Sequence, residues 1–289
     1  MNIRTLYDLF SNEVSPKSFF LTRDALPSKR ILITADLDEP LFDLRMKGLM
    51  EILSRHQIAL TLFCTNESRD GKRGYAALKQ MIEFARAENL ILEIGSHSIR
   101  HESLAHKDPL RIVSTVRESV MSFRKEGVSV YGFRAPYLST ERVYRKVLKK
   151  IGVKDGIIKY DSSILFEGNL FSSRIHDFLY WKSPHEVANI WELPISCLDD
   201  FHLFTKLKKE EKFVCEYWKR KVDINIRKYN YFLLLIHPEV IGNHFSALED
   251  FLAYCEQKHS TACFTTCLGL VKELNLLKKK RSSLGNEDM

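Results

Sequence analysis

The chain has 289 residues, 45% of them hydrophobic and 28% charged, with a formal net charge of +7. That composition excludes a disordered or low-complexity chain, and the length gives room for one large domain or two small ones. The basic excess is mild and partly gathered in Lys278, Lys279, Lys280 and Arg281; it suits an anionic small substrate or an acidic lipid surface, is too weak to argue for nucleic acid, and is met most simply by a solvated face.

In chain order, MNIRTLYDLFSNEVSPKSFF interrupts its apolar residues with Asp, Asn, Glu and Lys, so residues 1–29 read as an N-terminal extension without a secretory pattern. The run RILITAD then reads as a buried strand, followed by LFDLRMKGLMEILSRH with Leu41, Leu44, Leu49, Ile52 and Leu53 at helical intervals. The same alternation continues: strand IALTLFC, helix GYAALKQMIEFARAEN, strand NLILEIGS, helix PLRIVSTVRESVMSFRKEG, strand VYGFRAP, helix STERVYRKVLKKIG, strand GIIKYD. IWELPIS and FLLLIHP supply two more strands, and ALEDFLAYCEQKH a further helix. Strands that are apolar nearly throughout, separated by amphipathic helices, predict a mostly parallel sheet covered by helices. No Gly/Ser/Pro-rich linker divides the sequence, so one domain is expected over residues 30–277, with a basic and polar tail over 278–289.

No apolar run is long enough to span a bilayer. The six cysteines, Cys64, Cys197, Cys215, Cys255, Cys263 and Cys267, contain no CxxC pair. They read as free thiols in a reducing compartment, and a cytoplasmic location is the expectation. No GxGxxG or GxxxxGK[ST] loop follows the first strand, so nucleotide binding of those kinds is not supported.

The residues with chemical potential fall at the C-terminal ends of the strands: Asp36 and Asp38, His97, Arg134, Asp161, Glu192 and His237. In a closed parallel barrel those ends converge on one mouth. His97 and His101 in GSHSIRHESL stand four apart, a spacing at which two imidazoles share one face of a helical turn and reach one metal ion. Two imidazoles and one carboxylate leave coordination positions open for water and substrate, which suits amide or ester hydrolysis. Ser98 occupies the place a zincin gives to its glutamate base, so the base comes from elsewhere. Asp36 and Asp38 point to the same strand face, where one can ligate metal while the other takes a proton. Arg134 is a candidate partner for the base carboxylate, and His237 for the general acid; the bland account of His237 is a strand-end histidine packed under the turn at Pro238.

Taken in order, ITADLDEP, GSHSIRHESL, GFRAPY, KYDSS, WELPIS and LLLIHP resemble the motifs of polysaccharide deacetylases, the NodB-homology fold of carbohydrate esterase family four. The resemblance implies a distorted (β/α) barrel of seven to eight mostly parallel strands that removes N- or O-acetyl groups with one divalent metal, zinc first, with cobalt, nickel or manganese as alternatives. It implies Asp36 as catalytic base, Asp38, His97 and His101 as metal ligands, Arg134 as holder of the base, the Tyr137 backbone as oxyanion donor and His237 as acid. The first motif, TADLD, separates its aspartates where TFDDG does not, and in this it resembles a subgroup that includes lipid-linked aminoarabinose deformylases and allantoinase-like amidohydrolases. For the aspartate that tunes the acid histidine the candidates are Glu192 and Asp161, with Asp199 and Asp200 behind them. Tyr160, Trp191 and Leu193 are expected as barrel packing or pocket wall.

The leading expectation is a metal-dependent hydrolase removing an N-acyl group, foremost acetyl, from a sugar or sugar-containing intermediate, which can be anionic. A deformylase or ureide-type amidohydrolase uses the same site. A catalytically silent barrel that binds carbohydrate or protein is the alternative of a different class.

Overall fold

The run RILITADL forms the central strand β1 (Arg30–Leu37), buried from Ile31 onward. β1 pairs in parallel with β2 (Leu60–Cys64) on one side and with β8 (Tyr231–Ile236) on the other. The computed structural model describes residues 26–105, 107–138, 156–165, 183–187 and 189–284. Within these, the sheet continues from β2 through β3 (Leu92–Ser96), β4 (Gly132–Phe133), β5 (Tyr160–Asp161) and β7 (Ile190–Glu192) to β6 (His185–Val187). A short β9 (Cys263–Phe264) adds to β1. All pairs are parallel except β6 with β7. Beyond β7 the chain turns back to β8: Ser196 N donates to Leu233 O at 2.9 Å, and Tyr231 Oη to Pro194 O at 2.9 Å. The sheet therefore curls into the distorted (β/α) barrel that the motif resemblance implies.

Strand periodicity decides what faces inward. Along β1, Ile31, Ile33 and Ala35 join the core shared with the helices, while Leu32 belongs to a second, interior cluster. Thr34 and Asp36 continue that interior face, so it changes from apolar at the strand starts to polar at the mouth. β8 repeats the pattern, with Phe232, Leu234 and Ile236 in the outer core and Tyr231, Leu233 and Leu235 in the inner one.

The covering helices are α1 (Leu44–Arg55), α2 (Tyr75–Ala87), α3 (Pro109–Lys125), α4 (Glu211–Tyr229), the short α5 (Pro238–Ile241), α6 (Phe245–Lys258) and α7 (Cys267–Leu284). α1 starts where Asp43 accepts from Arg45 N and Met46 N at 3.1 and 3.0 Å; α3 starts at Asp108, with Pro109 in its first turn. α7 sets Cys267, Leu270, Val271 and Leu274 against the interior cluster at the strand starts. It thereby closes the end of the barrel opposite the mouth.

Three features differ from the sequence expectation. α4 emerges from a charged segment, EKFVCEYWKRKVDINIRKY, whose buried residues Val214, Trp218, Val222 and Ile226 recur every fourth position. α7 runs on to Leu284, so the first part of the expected tail is helical, and Lys278 Nζ donates to Glu186 Oε1 at 2.8 Å. β4 and β5 keep only two residues each. The helix expected over STERVYRKVLKKIG lies outside the described residues, as does the N-terminal extension through residue 25. The described cysteines are free, Cys263 exposed and the others buried.

Candidate active site

Asp36 lies at the end of β1, 2% exposed, and its Oδ1 accepts from Arg134 Nη1 at 2.7 Å. Arg134 follows β4 and is fully buried. Burial of such a pair is tolerable only when hydrogen bonds saturate both partners. Arg134 meets that condition: Nη1 also donates to Thr34 Oγ1 at 3.0 Å, Nε to Ser162 O at 2.9 Å and Nη2 to Ser162 Oγ at 2.8 Å. The serine pair of KYDSS thus serves the site from β5. Ser163 Oγ accepts from Ala135 N at 2.8 Å and fixes the turn that follows Arg134.

Asp38, just past β1, faces both histidines. Its Oδ1 is buried without a hydrogen bond, 3.1 Å from His101 Nε2 and 3.5 Å from His97 Nε2. His97 Nδ1 lies 2.9 Å from the Arg134 carbonyl oxygen. A carbonyl only accepts, so Nδ1 carries a hydrogen, and Nε2 is the atom turned toward Asp38 and toward Asp36 Oδ2, 3.8 Å away. Burial and the neighbouring His97 push His101 down to about 4, which leaves it neutral at pH 7. Burial works against ionisation of Asp38, yet the contact with His97 and the field of His97, His101 and His237 hold its carboxyl below the ordinary value. Two imidazoles and a carboxylate, gathered within 4.8 Å of one another, form a donor set that fits a divalent ion such as zinc.

HSIRH does not form the regular helical turn that the four-residue spacing suggested. Ser98 and His101 both take left-handed backbone conformations, at φ 73° and 54°, and it is this turn after β3 that brings the two rings to 5.1 Å. Tyr137 is a third left-handed residue at the mouth, φ 59° and ψ 18°. Its ring is 66% exposed and lies 4.6 Å from that of His101. Non-glycine residues held there mark a backbone fixed by its surroundings.

His237 directly follows β8, the strand beside β1. Its Nδ1 lies 2.7 Å from Asp200 Oδ1, and its backbone N donates to Asp200 Oδ2 at 2.9 Å. Burial alone would lower the His237 pKa; the charge and hydrogen bond of Asp200 overcome it and carry it up to about 10. The residue against the candidate acid is therefore Asp200, not Glu192 or Asp161. Asp161 accepts from Ser163 N and Oγ at 3.0 and 2.9 Å. Glu192 ends β7, paired in register with Asp161 and His185. Asp199 holds a different histidine, accepting from His202 N at 2.8 Å and lying against its Nδ1.

Tyr160, Trp191 and Leu193 are buried in the interior cluster away from solvent, Tyr160 donating to Glu93 and Trp191 Nε1 to Asn275 Oδ1 at 2.9 Å. They are barrel packing and not a wall that a substrate touches. Thr34, Ser162 and Ser163 are site residues the sequence did not single out. Thr34's one signal is a hydroxyl on the interior face of β1, where apolar side chains predominate; that of Ser162 and Ser163 is their place directly after the strand end at Asp161.

The structure resembles several solved ones. A protein from Mycobacterium smegmatis described as a polysaccharide deacetylase matches with a TM-score of 0.68 at 19% identity, over 92% of this chain and 96% of that one. An allantoinase matches with a TM-score of 0.58 at 14% identity, over 90% and 97%. A protein of Pseudomonas aeruginosa described as a polysaccharide deacetylase matches with a TM-score of 0.54 at 16% identity, over 87% and 90%. At these identities the likeness is one of fold. No curated protein matches the sequence significantly. The family model for polysaccharide deacetylase matches residues 12–156, half of the sequence, in which lie Asp36, Asp38, His97, His101 and Arg134, and the chain belongs to the polysaccharide deacetylase family.

Proposed function

We propose that the protein is a metal-dependent amide hydrolase that removes an N-acyl group, acetyl foremost, from a sugar or sugar-containing substrate. The observation that carries this reading is the Asp38–His97–His101 donor set standing between a buried carboxylate–arginine pair and a histidine–aspartate pair. When bound there, a divalent ion, zinc first, polarises the acyl carbonyl and makes a water acidic enough to deprotonate near neutral pH.

The chain's own residues do the rest. Asp36 takes the proton from the attacking water; Arg134 holds Oδ1 and leaves Oδ2 on the side of the histidines. The Tyr137 N–H donates to the oxygen on which negative charge develops. His237, protonated because Asp200 faces its Nδ1, gives the Nε2 proton to the departing amine. Exposed Tyr137 and half-buried Phe201, whose ring lies 6.0 Å from that of His237, supply apolar faces at the mouth against which a sugar ring can lie.

The mild positive charge is compatible with an anionic substituent on the substrate. Among the described residues no helix is long and apolar enough to cross a membrane. The reading is tested by incubating zinc-loaded protein with N-acetylglucosamine oligomers and assaying acetate, beside Asp36→Asn. Acetate release by the wild type and its loss in the variant support it. Formate or ammonia released from formylated or ureide compounds, with no acetate, would move the substrate class to the deformylase or amidohydrolase alternative. No release of any of the three would favour the silent barrel.

A further inference from the structure

We infer that Phe63 is a positioning residue of the reaction: its ring is the shelf on which the Arg134 guanidinium rests, and through Arg134 it sets the orientation of Asp36. The inference rests on the reading of Asp36 as the base.

Register puts Asp36 of β1, Phe63 of β2 and Gly95 of β3 side by side in one row across the sheet. Arg134, beyond β4, must cross β3 and β2 to reach Asp36, a span of three strand spacings of about 4.8 Å each. Gly95 makes room for the ring of Phe63, since a Cβ there would come within 2.5 Å of Phe63 Cδ1. Phe63, 0% exposed, supplies the floor: the guanidinium carbon stands 4.1 Å from its ring centroid.

The four hydrogen bonds of Arg134 run from its N–H groups, which lie in the guanidinium plane. They fix the group within that plane and resist tilting out of it poorly. The ring of Phe63 acts along the missing direction, with a cation–π attraction strengthened by the dry interior.

Phe63 is itself immobilised. Tyr160 meets it edge-on at 6.2 Å and 79°, and Tyr160 is tied to Glu93 by its hydroxyl. Gly132 makes room for Tyr160, since a Cβ there would overlap the ring at 1.9 Å. Two glycines, each opposite an aromatic ring, hold a row of side chains whose upper member touches the charged pair of the site. Core packing alone needs an apolar group at Phe63; it needs no electron-rich face.

The test replaces Phe63 with phenylalanines carrying one, two and three ring fluorines in the full-length, zinc-loaded protein. Fluorination weakens the ring's negative face while nearly keeping its shape, so folding is preserved where Phe63→Leu risks a cavity. Two quantities are read: hydrogen exchange at Arg134 Nε–Hε by NMR, and kcat and KM for acetate release from N-acetylglucosamine oligomers. Exchange should quicken stepwise with fluorine number while the β1 amides keep theirs, and kcat should fall in parallel, on the order of 30-fold for three fluorines. KM and zinc content should stay at wild-type values. Exchange at Arg134 that is unchanged in the trifluoro protein would overturn the inference, whatever turnover does. Because exchange needs no turnover, a wild type without acetate release would sink the proposed function while leaving the shelf to be decided by exchange alone.

Discussion

Asp36 and Asp38 stand two residues apart at the end of one strand and meet opposite company. Asp36 spends one oxygen on a buried guanidinium, whereas Asp38 turns an oxygen without a hydrogen bond toward two imidazole nitrogens. Asp36→Asn should accordingly cut kcat about 10²–10⁴-fold, the worth of a general base, and leave metal content unchanged. Asp38→Asn should lower metal occupancy itself, measured by metal analysis of the purified variant. The reverse pattern would exchange the two roles. At the end of β8, beside β1, His237 is carried up to about 10, so it stays protonated across neutral pH and acid-dependent turnover is lost only as pH rises through about 10. Asp200→Asn removes the cause of that rise. The alkaline limb of kcat/KM should then move to lower pH, and a limb that stays in place would show that Asp200 does not tune the acid. The motif order placed Asp36, Asp38, His97, His101, Arg134 and His237 on one mouth without any coordinates. Asp200 was legible only as one of two adjacent aspartates in CLDDF, and sequence does not tell which of them turns toward β8.

At the scale of elements, the site depends on turns more than on helices. His97 comes directly from the end of β3, and His101 reaches it through a turn in which Ser98 and His101 are left-handed. A spacing of four residues reads as a helical face in the sequence because periodicity carries no information about backbone handedness. Gly95, one row below, is where β3 makes room for the Phe63 ring on which Arg134 rests. Gly95→Ala should therefore displace Phe63 or Arg134 and reduce turnover, visible as a lower kcat at full metal content. Helix starts were more legible. Asp108 accepts from Leu110 N at 2.8 Å directly before Pro109, so Asp108→Ala should cost about 1 kcal/mol in denaturant unfolding and leave kcat unaltered. α4 was missed because charged residues are as many as apolar ones along it, although Val214, Trp218, Val222 and Ile226 form a stripe along one face.

The molecule as a whole is a graded container. Its interior is apolar where α7 closes the strand starts and becomes polar toward the mouth, where Thr34, Asp36, Arg134 and Ser162 form a buried charged layer under the donor set. That gradient follows from the inward-facing residues of each strand; the alternating strand and helix runs of the sequence were enough to predict a parallel sheet covered by helices, and the barrel itself is what the motif resemblance implied. They were not enough to predict how it closes: the β7-to-β8 junction at Ser196 and Leu233 is made by backbone and hydroxyl groups without a strand pattern. Filling the donor set should stabilise the folded state, by about 2.7 kcal/mol at free metal a hundredfold above Kd. A chelator should lower Tm by a few degrees, and His97→Ala should be insensitive to it.

The most direct measurement is metal content by mass spectrometry of purified wild type beside His97→Ala, after exposure to equimolar zinc, cobalt, nickel and manganese. The account predicts about one divalent ion per wild-type chain, zinc foremost, and its loss in the variant. No bound metal in the wild type, or equal metal in both proteins, would contradict it.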